Sequence, residues 1–212
     1  MQFETGHIFH IYNQGNNRQK IFFKKENYIF FLKKMQPHIL PFADILAWCL
    51  MPNHFHLMVY VNHLELPLPT VGVTAHKAGA LSSHPDSSTN RTRTFNDSIG
   101  IMLRTYTRAI NIQENRSGAL FREETKAICL TKINKITPNW YTSSGIAHIN
   151  IGMPEKQYPN ICFNYIHNNP VKDGLVAKQE EWKFSSYLDI IGSREGKIIN
   201  WERIKELGLV LS

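Results

Sequence analysis

The sequence has no long apolar run. No stretch of its 212 residues stays hydrophobic over the ~18 positions that a membrane-spanning helix requires. Its first residues, Met1-Gln2-Phe3-Glu4, place no basic segment ahead of an apolar one. Neither a membrane span nor a secretory leader is therefore expected. Cysteine is scarce and odd in number. Cys49, Cys129 and Cys162 lie far apart, which excludes a disulfide framework and the paired spacing of a zinc knuckle and fits a reducing, cytoplasmic setting. Acidic residues are also few: 17 Asp and Glu stand against 24 Lys and Arg, a net charge of +7. That imbalance favours a polyanionic partner. No carboxylate cluster accompanies the histidines, which weighs against a small-phosphoester hydrolase. There is no internal repeat, Walker loop, dinucleotide-binding glycine fingerprint or Ser/His/Asp order, so nucleotide-driven and triad chemistry find no footing.

What is present alternates. His54-Phe55-His56-Leu57-Met58-Val59-Tyr60-Val61 follows a Met51-Pro52-Asn53 turn and reads as a strand by its period of two. On a strand, residues two apart share a face. His54, His56, Met58 and Tyr60 are thus set on one side, and Phe55, Leu57, Val59 and Val61 on an apolar other. Taken alone, an H-x-H is more often a pair of hydrogen-bonded histidines than a metal site. Gly6–Asn13 reads as an earlier strand whose His10 and Tyr12 share a face, and Asn13–Asn17 as a loop tolerant of positive φ. A helix from Lys25 to Met35 is expected to end ahead of Pro37. Ala43–Leu50 then forms a hairpin with the histidine strand. Phe95–Asn111 repeats apolar residues at helical spacing, and Thr125–Thr131 is a candidate fourth strand. A helix over Glu155–Asn169 stacks Tyr165 and Asn169 one turn apart, with Pro170 expected to stop it. Residues 62–94 and 137–154 read as irregular insertions, and 191–212 as a tail helix beyond a single domain of residues 1–190. Cys49 and Cys162 suit small core positions, and Trp182 and Tyr187 suit packing.

Three separated segments, HIYNQGNNRQKIF, LMPNHFHLMV and YIHNNPVKDGLV, occur in an order that resembles the REP-associated tyrosine transposases. These are single-tyrosine relatives in the HUH endonuclease superfamily, named for His, hydrophobic, His. The resemblance spans most of residues 6–187 outside the two insertions. It implies an α+β, ferredoxin-like or RRM-like fold: a central antiparallel sheet with helices on one face and the tyrosine on an additional helix. The strand-helix-strand-strand-helix-strand order read from the residues agrees with it. The resemblance further implies that His54 and His56 hold a divalent ion, Mg2+ or Mn2+, and that Tyr165 is the nucleophile. Asn169 stands where insertion-sequence relatives place a glutamine that completes the metal site, and its reach is shorter.

The implied activity is cleavage and transfer of single-stranded DNA near hairpins through a 5′-phosphotyrosine, by a monomer or homodimer. Arg104 and Arg108, with Arg91, Arg93, Arg116 and Arg122 nearby, form the densest basic region, and Arg91, Arg93, Arg104, Arg108 and Lys172 are the candidate DNA contacts. On charge alone, a solvated helix face explains such a region as well as phosphate contact does. The alternative function is a catalytically silent module that binds single strands by stacking and charge on the same fold.

Overall fold

A computed structural model describes residues 1–67, 91–131, 140–143, 146–149 and 154–212. Four antiparallel strands form its central sheet: β1 (Ile8–Gln14), β2 (Ala43–Met51), β3 (His54–Val61) and β6 (Lys126–Cys129), in spatial order β2-β3-β1-β6. The helix α1 (Lys25–His38) carries the chain from β1 to β2, and α2 (Phe95–Gln113) carries it from β3 towards β6. Each of these connections links two parallel strands across an intervening antiparallel one. This interleaved pair of βαβ units is the ferredoxin-like arrangement that the sequence pattern implied.

The alternation in β3 sorts the two sheet faces. Phe55, Leu57 and Val59 are buried towards α1 and α2, where Phe31 meets Phe55 at 5.1 Å between ring centres and crosses Tyr106 at 5.0 Å. The Tyr106 hydroxyl donates to the Ile21 carbonyl at 2.8 Å, so this large ring is buried without an orphaned polar atom. Both helices have polar starts. Asn27 Oδ1 accepts from the Phe23 and Lys24 amides ahead of α1, and Thr94 and Asp97 cap α2 reciprocally.

The opposite face of the sheet is covered by α3 (Pro154–Lys172), which packs on β2 and β3. Cys162, Phe163, Ile166, His167, Asn169 and Pro170 are buried along it, while Tyr165 and Asn168 are exposed. His167 Nε2 lies 2.8 Å from Ser186 Oγ, which in turn accepts from the Trp48 amide of β2 at 2.9 Å. The residues that follow α3 close the outer edge of β2. Leu50 N donates to Phe184 O, Ser186 N to Trp48 O and Asn200 N to Ile45 O. The short helices α4 (Tyr187–Ile190) and α5 (Trp201–Glu206) complete this stretch, with Arg203 paired to Asp44 of β2.

Two prolines do not act as expected. The helix α1 continues through Pro37 to His38, because Phe31, Met35 and Ile39 form a continuous buried stripe and Ile39 N still donates to Met35 O. In the last turn, packing outweighs the one backbone donor that a proline removes. Likewise α3 passes Pro170, itself buried, and ends at Lys172. Its true stop is Gly174, whose φ of 68° no side-chain-bearing residue adopts cheaply.

The segment 137–154, read as irregular, contains a hairpin in its described part: β7 (Trp140–Ser143) pairs with β8 (Ile146–Ile149). The segment 62–94 likewise has a paired base, β4 (Glu65–Pro67) with β5 (Thr92–Thr94); His76 and His84 lie outside the described residues. No described helix is long and apolar enough to cross a membrane.

Candidate active site

The tight turn at residues 51–53 sets His54 and His56 at the start of β3. It is gripped by the loop after β1: Gly15 N donates to Asn53 O, and Ile21 and Phe22 N both donate to Pro52 O. Gly15 is required there by close approach. A Cβ at that position would stand 2.1 Å from the Gln19 carbonyl oxygen. Asn17 carries the positive φ, 52°, that the loop composition allowed for.

Strand pairing then aligns β1 with β3, Tyr12 opposite His56 and Gln14 opposite His54. His10 and Tyr12 accordingly face the histidine pair, as the alternation of β1 indicated. Three imidazoles pack together. His54 and His56 have ring centres 5.0 Å apart and nearly perpendicular, and His10 stacks on His56 at 5.0 Å. His10 Nε2 lies 2.8 Å from His56 Nδ1, and His54 Nδ1 lies 2.6 Å from Asn53 Oδ1. The remaining nitrogen of His56, Nε2, is buried without a hydrogen-bond partner. A buried polar atom left unpaired in a native fold calls for an explanation.

Tyr165 completes the cluster from the other side. Its ring centre is 5.6 Å from that of His56 and 6.2 Å from that of His10, edge-on in both cases. Its four-residue spacing from Asn169 works as the sequence implied. Asn169 is buried, and its Nδ2 donates to the Tyr165 carbonyl at 2.8 Å, which fixes the orientation of the amide. Lys172 lies over the Tyr165 ring at 5.5 Å. A cavity of about 340 Å³ opens between Tyr12, His54, His56 and Tyr165, with Arg122 and Lys126 on its rim.

Burial sets the electrostatics of this cavity. It pushes His10 down to about 4, and it holds His56 well below the ordinary histidine value, helped by the charges of His10 and His54. Burial lowers His54 as well, against the opposing pull of Asp173. All three rings are therefore neutral near pH 7, the state in which imidazole is a ligand. Burial also raises the Tyr165 phenol. Hydrogen bonding to Asn169 works against this, and the charges of Cys162, Asp173 and Tyr12 add to it.

The donor set fits a divalent ion. Each imidazole has one nitrogen engaged, His54 by Asn53 and His56 by His10, which is how metal-binding histidines are usually oriented. The other nitrogen of His56 has no competing partner. Among the described residues, no third His, Cys, Asp or Glu joins them. Two imidazoles leave the remaining positions to oxygen donors such as water or a phosphate.

The candidate DNA contacts divide into three places. Lys172 is at the cluster. Arg104 and Arg108 line a groove beside α2. Arg93 lies over the Phe42 ring and Arg91 is two residues before it in sequence, at the far end of the sheet from His54. Strand geometry puts the two ends of β3 about 23 Å apart. Of the residues lining the site, Asn53 had a signal in the sequence, an acceptor side chain adjoining a histidine in a turn. Arg122 belonged to the basic region read from the sequence, but its place at the cavity was not legible there, because only the pairing of its amide with Gln14 of β1 brings it here.

A split βαβ sheet carrying an H-x-H strand faced by a helical tyrosine is the class of structure to which fold and site together assign this protein. No protein-family model and no curated protein matches the sequence. Among solved structures, the chain is similar to a REP-associated tyrosine transposase bound to a REP hairpin. The TM-score is 0.52 and the identity 15%, with 95% of this chain and 92% of that one covered. At this identity the likeness is one of fold.

Proposed function

We propose that the protein is a metal-dependent, single-tyrosine DNA endonuclease and strand transferase acting on single-stranded DNA beside hairpins. The observation that carries this reading is the meeting, within one chain, of Tyr165 with two neutral imidazoles, one of which keeps an unpartnered buried nitrogen. The net positive charge, and the hairpin held by the structural neighbour, support DNA as the substrate.

In this reading His54 and His56 hold the ion, Mg2+ or Mn2+, with Asn169 as a further oxygen donor. When bound, it supplies Lewis acidity at the scissile phosphate and favours the phenolate nearby. The protein's own groups do the rest. Burial keeps the Tyr165 phenol protonated at rest. Lys172 adds positive charge beside its ring as the phenol proton passes to solvent. The Tyr165 oxygen bonds to phosphorus while the bond to the 3′ oxygen breaks, and that oxygen leaves as a hydroxyl after taking a proton from solvent. The reverse step reseals a strand with no nucleotide cofactor, because the phosphotyrosine conserves the ester.

The test is incubation with end-labelled hairpin DNA carrying single-stranded flanks, in Mn2+, followed by denaturing electrophoresis. A protein–DNA adduct is expected from the natural chain and not from Tyr165→Phe. If no adduct forms while binding survives chelation and His54→Ala, the silent binding module is the correct reading instead.

A further inference from the structure

A groove of about 960 Å³ runs along the exposed side of α2, between that helix and the segment at residues 115–125. Arg104 and Arg108 stand on its helical wall, four residues or about 6 Å apart along the axis. Arg116 and Arg122 stand on the opposite wall. Glu123 is the single acidic residue lining it, and among the described residues Arg104, Arg108 and Arg122 make no ion pair. Ile112 also lines the groove. At 73% exposure, it is the most exposed large apolar side chain among the described residues.

The groove and the tyrosine cavity meet at two shared lining residues, Asn13 and Arg122, at the edge of the sheet. The segment from Arg122 to Lys126 is divided between the two. Glu123 and Thr125 face the groove, and Glu124 and Lys126 face the cavity. Arg122 sits at the junction, held firmly by its main chain. Its amide donates to Gln14 O at 2.9 Å, and its carbonyl accepts from Asn13 Nδ2 at 3.1 Å. The same Asn13 amide donates to Thr125 Oγ1 at 2.9 Å.

Unpaired arginines in a row, an apolar contact and a pinned basic junction suit the phosphates and a base of an extended single strand. A duplex offers its phosphates on two strands and its bases only by their edges. We propose that this groove binds the unpaired flank of the substrate and leads it past Arg122 to Tyr165. The proposal rests on the function proposed above and assigns the flank, as distinct from the hairpin, to α2.

The experiment compares two labelled oligonucleotides by fluorescence anisotropy across a salt series: a hairpin alone, and the same hairpin with a ten-nucleotide unpaired flank. The proteins are the natural chain and the double variant Arg104→Ala/Arg108→Ala, whose exposed positions leave the melting temperature unchanged. The natural chain is expected to bind the flanked hairpin more tightly. The double variant is expected to lose at least about fivefold on the flanked hairpin and nothing on the bare one, with the log–log salt slope falling by about 1.4 for two single-strand phosphates. An equal loss on both oligonucleotides, or no loss on either, overturns the groove assignment. Adduct formation by the natural chain, measured in parallel, tells that failure apart from failure of the endonuclease reading.

Discussion

His56 has one ring nitrogen held and one idle, and which of them carries the proton follows from its use. For Nε2 to offer a lone pair, Nδ1 must be protonated and must donate to His10 Nε2, 2.8 Å away. The proton of His10 then belongs on its own Nδ1. His10 is in this sense a positioning residue for His56. Replacing it with phenylalanine keeps a ring in the stack but removes the acceptor. Mn2+ affinity measured by calorimetry should then fall at least tenfold. In the metal-free variant, the 15N shifts of His56 should report a mixture of tautomers where the natural chain shows one. A second prediction concerns Tyr165. Because hydrogen bonding to Asn169 partly offsets the upward push of burial, Asn169→Ala should move the Tyr165 ionisation higher still, as read by NMR of 13C-labelled tyrosine. The histidine pair and the tyrosine were visible in the sequence as spacings. The lock between His10 and His56 was not, because it depends on the register that places Tyr12 opposite His56.

The reach of Tyr165 is set by how firmly α3 lies on the sheet. One polar fastening does much of this. Ser186 Oγ joins His167 of α3 to the Trp48 amide of β2, all within the buried region. Ser186→Ala should leave both partners unsatisfied and cost about 1–3 kcal/mol, measured by urea unfolding. The yield of covalent adduct should fall as well, since the tyrosine is carried on the loosened helix. Strands and amphipathic helices could be read from their periods: the four strands of the central sheet and α2 begin and end within two residues of the positions their patterns suggested. Prolines were the poor guide. Pro37 and Pro170 each sit in a final turn whose buried neighbours hold the helix on, a tertiary effect that local preference does not contain. The hairpin of β7 and β8 escaped notice for a related reason. Its Ser-Ser-Gly centre and flanking prolines have the composition of a loop, and the pairing that makes it regular lies across the turn.

The buried histidines should make the whole molecule acid-sensitive. Burial pushes His10 to about 4 and His167 to about 3 in the folded chain, against about 6.5 when unfolded. Between those values the unfolded chain binds more protons than the folded one, so stability rises with pH and is lost as pH falls below about 6.5. Each such histidine contributes a slope of about 1.4 kcal/mol per pH unit. The unfolding free energy should therefore drop steeply from pH 6.5 towards pH 4, and His167→Gln should flatten that fall, as followed by denaturant titration at each pH. The rim of β2 is hydrogen-bonded by Phe184, Ser186 and Asn200, all contributed from beyond the tyrosine helix. A protease nick near residue 180 that let this strip peel away would do more than shorten the protein. It would bare a row of unsated amides and carbonyls along a nine-residue ribbon of mostly oily side chains, and the clipped product would polymerise through that ribbon instead of merely melting.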